Sequence, residues 1–120
     1  MNKVFISGRL VRDVEKKTSK SGTEFTKVTV AVEKYMAKEK STKTIFVDCI
    51  AFAHNANYLA KYCQKGTMVH IEGELDSSVV EKDGGKVTYW NVVVNAVESA
   101  KPAQTETVIE SNDVGVPFEI

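Results

Sequence analysis

Residues Thr44–Leu75 read TIFVDCIAFAHNANYLAKYCQKGTMVHIEGEL, and two changes of period within them decide the fold. From Thr44 to Phe52 the chain alternates: Ile45, Val47, Cys49 and Ala51 share one face of a strand, and Phe46, Asp48, Ile50 and Phe52 share the other. From Asn55 to Gln64 the small or apolar residues Ala56, Leu59, Ala60 and Cys63 fall instead at the spacing of a helix face. Gly66 follows where a helix ends. From Thr67 to Leu75 alternation returns, with Val69, Ile71, Gly73 and Leu75 together. The stretch therefore reads strand, short helix, strand.

Period two also dominates on either side. Asn2–Arg12 places Val4, Ile6, Gly8 and Leu10 on one face. After the turn-like Thr18–Gly22, Thr23–Lys34 does the same with Val28, Val30 and Val32. Beyond Leu75, Val79-Val80 and Val87–Val97 flank Glu81–Lys86, whose paired glycines suit a turn needing positive φ. Three strands, one helix and then further strands is the order of the five-stranded oligonucleotide-binding barrel, an all-β fold with one short helix. Met36–Lys43 reads as a lysine-rich loop between the second and third strands. Residues 1–100 are expected to form this domain. Residues 101–120, polar and with little to bury, are expected to stay mobile as an acidic tail.

A chain of 120 residues, 42% of them hydrophobic, suffices for one such core without metal or disulfide. Cys49 and Cys63 form no Cys-x-x-Cys pair and have no histidine at ligand spacing, so neither zinc nor any other metal or cofactor is expected. They read as reduced thiols of a cytoplasmic protein. No apolar run approaches the roughly 20 residues of a membrane span, and Met1–Leu10 looks like a strand, not a signal peptide. The net charge is zero, but its distribution is uneven. Residues 1–101 carry 16 bases against 12 acids, while residues 102–120 carry four acids and no base.

The face Phe46, Asp48, Ile50, Phe52 mixes an acid with apolar residues. A core rarely accepts an unpaired carboxylate, so this face is expected to be partly open. Two readings of its phenylalanines stand side by side: stacking of nucleobases, or packing under a loop or in a subunit interface. Lys34, Lys38, Lys40 and Lys43 bracket the face in sequence. Lys3, Arg9, Arg12 and Lys27 come from the first two strands, and bases interleaved with aromatics suit a phosphate backbone with unstacked bases. Tyr35 is a candidate third ring. Trp90 is a fourth, although its alternation with Thr88, Val92 and Val94 leaves its face open between site and core. There is no Gly-x-Ser-x-Gly, phosphate loop or His-Glu-x-x-His, and the chain reads as a binder, not an enzyme.

Met1–Leu10 with Asp13 and Glu15, Thr29–Glu33 and Phe46–Phe52 resemble segments of the bacterial-type single-stranded DNA-binding proteins, a family that includes phage-encoded forms. So do Ala56, Ala60, Tyr62 and the Lys65-Gly66 exit, followed by Val69, Ile71, Glu72, Gly73 and Leu75. The resemblance implies an oligonucleotide-binding fold, assembled as a homotetramer with a dimer as alternative. It implies binding of single-stranded DNA in replication, recombination and repair, and it places stacking rings at Phe46 and Phe52. Val14 stands where the family has proline. Asp76–Val80 replaces a basic and aromatic run, so a ring and positive charge are expected to be missing from the last hairpin. Asn112–Ile120 resembles the family's acidic tip ending Pro-Phe, with two residues following Phe118 here. By that resemblance Asp113, Val116, Pro117, Phe118, Glu119 and Ile120 would recruit replication or recombination proteins.

Two other readings stay open. One is an RNA-binding or primosome-adaptor domain of the same fold, since stacking and phosphate contacts do not require deoxyribose. The other is a protein-interaction barrel, favoured by the zero net charge.

Overall fold

The computed structural model describes residues 1–100. Its elements are β1 (Val4–Leu10), β2 (Lys17–Thr18), β3 (Glu24–Met36), β4 (Ser41–Phe52), α1 (Ala53–Tyr62), β5 (Met68–Lys82) and β6 (Gly85–Ser99). The strand order β1-β5-β6-β4-β3 closes because β1 also pairs with β3, through Arg9↔Ala31 and Leu10↔Val30. All pairings are antiparallel except β4 with β6, where Cys49 aligns with Val92 and Ile50 with Val93. This closed, mixed, five-stranded barrel with one helix is the oligonucleotide-binding architecture expected from the sequence.

Alternation builds the core as expected. Leu10, Val28, Val30, Cys49, Ala51, Val69, Ile71, Val92 and Val94 are buried from the strands, each larger aliphatic contributing on the order of 1.5–3 kcal/mol. Thr26, 0% exposed, is the polar exception, and its hydroxyl donates to the Glu15 carbonyl at 2.8 Å. The helix closes one end of the barrel with Ala56 and Leu59, both 0% exposed. Ala60, expected on the same face, lies on the exposed side. Gly66 does not cap the helix directly. It supplies φ +88° in the turn Gln64–Thr67, and its N–H bonds the Leu10 carbonyl at 2.8 Å.

Gly8 explains why β1 can press onto β3. A Cβ there would sit 2.7 Å from Val30 Cγ1 and closer still to the Ala31 carbonyl oxygen. The register of β5 against β6 shifts between Glu72 and Gly73, leaving Asn95 unpaired as a bulge. Asn55 of α1 reaches the carbonyls of Val94 and Asn95 at 3.3 and 3.2 Å, tying the helix to that bulge.

Two hairpins differ from the sequence reading. The loop expected over Met36–Lys43 shrinks to Ala37–Lys40, because Ser41–Lys43 pair with Lys34–Met36. Val79-Val80 is not a separate strand, since β5 runs unbroken to Lys82 and turns at Asp83-Gly84, with Gly84 at φ +80°. Both hairpins outrun the barrel. Their inward-parity residues therefore lose cover: Ile45 is 38% and Leu75 46% exposed.

Candidate nucleic-acid interface

The outer face of β4 presents Phe46 (66% exposed) and Phe52 (43%), with Asp48 exposed between them. Five residues of strand lie between the two rings, and the six steps from one to the other span about 20 Å. Register supplies their neighbours. Phe46 lies opposite Ala31, itself opposite Arg9 of β1; Asp48 faces Thr29, Ile50 faces Lys27, and Phe52 faces Phe25. Tyr35, 65% exposed, continues the same face of β3 toward the hairpin tip. Asp48 is not left bare: Thr29 donates its hydroxyl to Oδ1 at 2.8 Å, and Arg12 Nη2 lies 3.4 Å from the Thr29 oxygen.

The β5–β6 hairpin walls this face. A groove of about 420 Å³ runs between Arg12, Lys27 and Asp48 on one side and Tyr89, Trp90 and Asn91 on the other. A second concavity, about 680 Å³, shares Arg12 and Lys27 and extends to Val14, Lys17 and Phe25. Trp90 has the strand parity of buried Val92 and Val94 but is 60% exposed, because β6 has already left the barrel at that point. The Asn91 Oδ1 atom is buried without a hydrogen-bond partner among the described residues.

The expected contact residues therefore separate into groups. Phe46, Phe52, Tyr35, Arg9, Arg12, Lys27 and Trp90 share the outer face or its groove. Lys38 and Lys40 sit at the turn of the β3–β4 hairpin. Lys34 and Lys43 face each other on the opposite side of that hairpin from Phe46. Lys3 lies at the far end of β1, ion-paired with Glu72 at 3.3 Å. The paired cations lie outside the groove or at its margin. Lys16 holds Glu24 at 3.1 Å and Asn57 at 2.8 Å, and its hydrogen bond to the Glu24 carboxyl, then its charge, lower that group's pKa. Lys17 lies 3.9 Å from Glu15. Arg12 and Lys27 form no ion pair among the described residues.

Sequence reasoning missed Tyr89 and Phe25. Tyr89, 43% exposed, accepts a hydrogen bond from Lys82 Nζ at its hydroxyl, and the two correct the expectation of a hairpin lacking both ring and charge. The aromatics stand on the returning strand, opposite Ser77 and Ser78, instead of the outgoing one. The Tyr89-Trp90 pair itself was the signal. For Phe25 no local signal existed, since only register places it beside Phe52. The tail residues Asp113, Val116, Pro117, Phe118, Glu119 and Ile120 lie outside the described residues. Among those described, no helix is long and apolar enough to cross a membrane, and no group of His, Cys, Asp or Glu could hold a metal ion.

The sequence profile of the single-strand binding protein family matches residues 1–100. A single-stranded DNA-binding protein of Fusobacterium nucleatum is 30% identical over 96% of this chain and 77% of its own. One of Thermotoga maritima is 34% identical over 93% and 82%. One of Malacoplasma penetrans is 35% identical over 94% and 59%.

Proposed function

The chain belongs to the single-strand binding protein family, and from that premise we propose that it binds single-stranded DNA without sequence specificity along the outer face of β3 and β4. Bases stack on Phe46, Phe52, Tyr35 and the Tyr89–Trp90 wall, while Arg9, Arg12 and Lys27 take phosphates. The observation that carries this reading is the groove itself. Its two cations, without an ion pair among the described residues, face Tyr89 and Trp90 across it, and Phe46 and Phe52 stand exposed on the adjoining strand face, which suits a polymer alternating anion and π-surface. Protection of single strands in replication, recombination and repair is the role this binding serves. Self-association, as a homotetramer, belongs to the same reading, and Phe5, 72% exposed on β1 outside the groove, is an apolar residue it would cover. Residues 113–120 recruit partner proteins.

Trp90 is the only tryptophan, so its emission reports on the groove directly. Titration with oligo-dT is expected to quench it saturably, with oligo-U of equal length competing weakly. Unchanged emission alongside binding seen by another method would move the DNA off this wall. Tighter competition by RNA would favour the RNA-binding reading.

A further inference from the structure

Asp48 is poorly explained by the binding of a polyanion. It stands exposed near the middle of the face assigned to DNA, between Phe46 and Ile50, and no ion pair among the described residues neutralises it. Thr29 donates its hydroxyl to Oδ1 at 2.8 Å, which anchors one oxygen of the carboxylate, and the Thr29 oxygen is approached by Arg12 at 3.4 Å. Asp48 also lines the same groove as Lys27, Tyr89 and Trp90. A fixed carboxylate here does two things. It repels phosphates, so the backbone is held toward Arg9, Arg12 and Lys27 and the bases turn toward β4. It also accepts hydrogen bonds and donates none. Cytosine offers its outward N4 amino group to such an acceptor, whereas thymine and uracil present O4, a second acceptor, at the same position and keep their one donor, N3–H, in the middle of the edge beside it.

We propose that Asp48 is a base-discriminating residue, favouring cytosine over uracil or thymine in the groove through its Thr29-oriented carboxylate. The proposal rests on the groove being the DNA site. It adds a bias of chemistry to binding that stacking alone leaves indifferent to sequence.

The test compares dissociation constants for oligo-dC and oligo-dU of equal length, which differ at the 4-amino or 4-carbonyl group and the adjoining N3 but share the absent methyl. The proteins are wild type, Asp48→Asn and Thr29→Val, each checked for an unchanged melting transition. Asp48→Asn removes the charge and offers an amide N–H to O4, so the preference for oligo-dC over oligo-dU is expected to fall by about 3- to 10-fold. Affinity for both oligomers should rise as repulsion of phosphate is lost. Thr29→Val keeps the carboxylate but frees its orientation, and should reduce the preference by a smaller factor. It also serves if Asp48→Asn does not fold. If affinity changes equally for both oligomers in the variants, Asp48 acts on phosphates alone; this proposal is overturned while the groove assignment stands. If wild type binds both oligomers without quenching Trp90, the groove assignment falls and this inference with it.

Discussion

Phe46 and Phe52 occupy one strand face, yet they are not equivalent residues. Phe46 is 66% exposed opposite Ala31, whereas Phe52 is 43% exposed and packs its edge of the sheet beside Phe25. Replacing either by alanine is expected to weaken single-stranded DNA binding by about 1–3 kcal/mol. Only Phe52→Ala should also lower the melting temperature measurably. Normal binding by both variants, read by filter or fluorescence titration, would assign the rings to an interface instead. Cys49 gives a second expectation at this scale. Burial, and then the neighbouring Asp48 charge, push its thiol from the ordinary 9.0 up to about 12. Because the unfolded thiol ionises first, the unfolded state sheds its proton before the folded one. Stability therefore falls as pH rises from about 9 toward about 12. A Cys49→Ser variant compared by denaturant unfolding at pH 8 and pH 10.5 should lose less stability over that interval than wild type. An equal loss would show that the thiol is already ionised or exposed.

The β3–β4 hairpin shows why an element cannot be read from composition. Eight residues looked like a loop because four are lysine or glutamate and none is strongly apolar beyond Met36. Pairing across the tip instead recruits Ser41–Lys43 into β4 and sets Lys34 directly opposite Lys43. Like charges in that position destabilise a hairpin by roughly 0.2–1 kcal/mol, a cost that a bound phosphate would relieve. Replacing both lysines by glutamine is therefore expected to leave the fold intact or slightly stabilised. If the hairpin carries backbone contacts, the double variant should lower the log–log salt slope of binding by about 0.7 per phosphate lost. An unchanged slope would confine the phosphate path to Arg9, Arg12 and Lys27. The β5–β6 hairpin teaches the complementary lesson. The outgoing strand is bare of rings, and the wall of the groove is built by the returning one through its Ser78↔Tyr89 and Ser77↔Trp90 pairings.

At the scale of the whole molecule the charge is divided along the chain: 16 bases and 12 acids in residues 1–101, then four acids and no base in residues 102–120. An acidic segment cannot attract a phosphate backbone and can compete with DNA for the same cations. Truncation after Thr105 is expected to leave affinity for oligo-dT unchanged or raised, most visibly at low salt where screening is weak. The same truncation should abolish capture of any partner recovered by the full chain. A marked fall in DNA affinity, or loss of the assembled species in sedimentation, would make the tail a structural element.

The alternation of β-branched residues and the single interruption at Asn55–Gln64 gave the strands and the helix, because those signals are local; the family resemblance of Met1–Leu10, Thr29–Glu33 and Phe46–Phe52 added the choice of barrel, and Asp48 among apolar residues marked the open face of β4. The order in which Phe46, Asp48, Ile50 and Phe52 meet solvent follows from period two alone. Tertiary structure decided what depends on partners distant in sequence. Closure of β1 onto β3 set Arg9 in line with Phe46, and cross-strand register brought Phe25 to Phe52. Lys3 and Lys16 were taken up by Glu72, Glu24 and Asn57, while Arg12 and Lys27 form no ion pair among the described residues and stay beside the groove. Trp90 shows the limit most clearly. Its strand parity is that of the core, but the core ends before it does, and only the length of the hairpin relative to the barrel leaves the ring in the open.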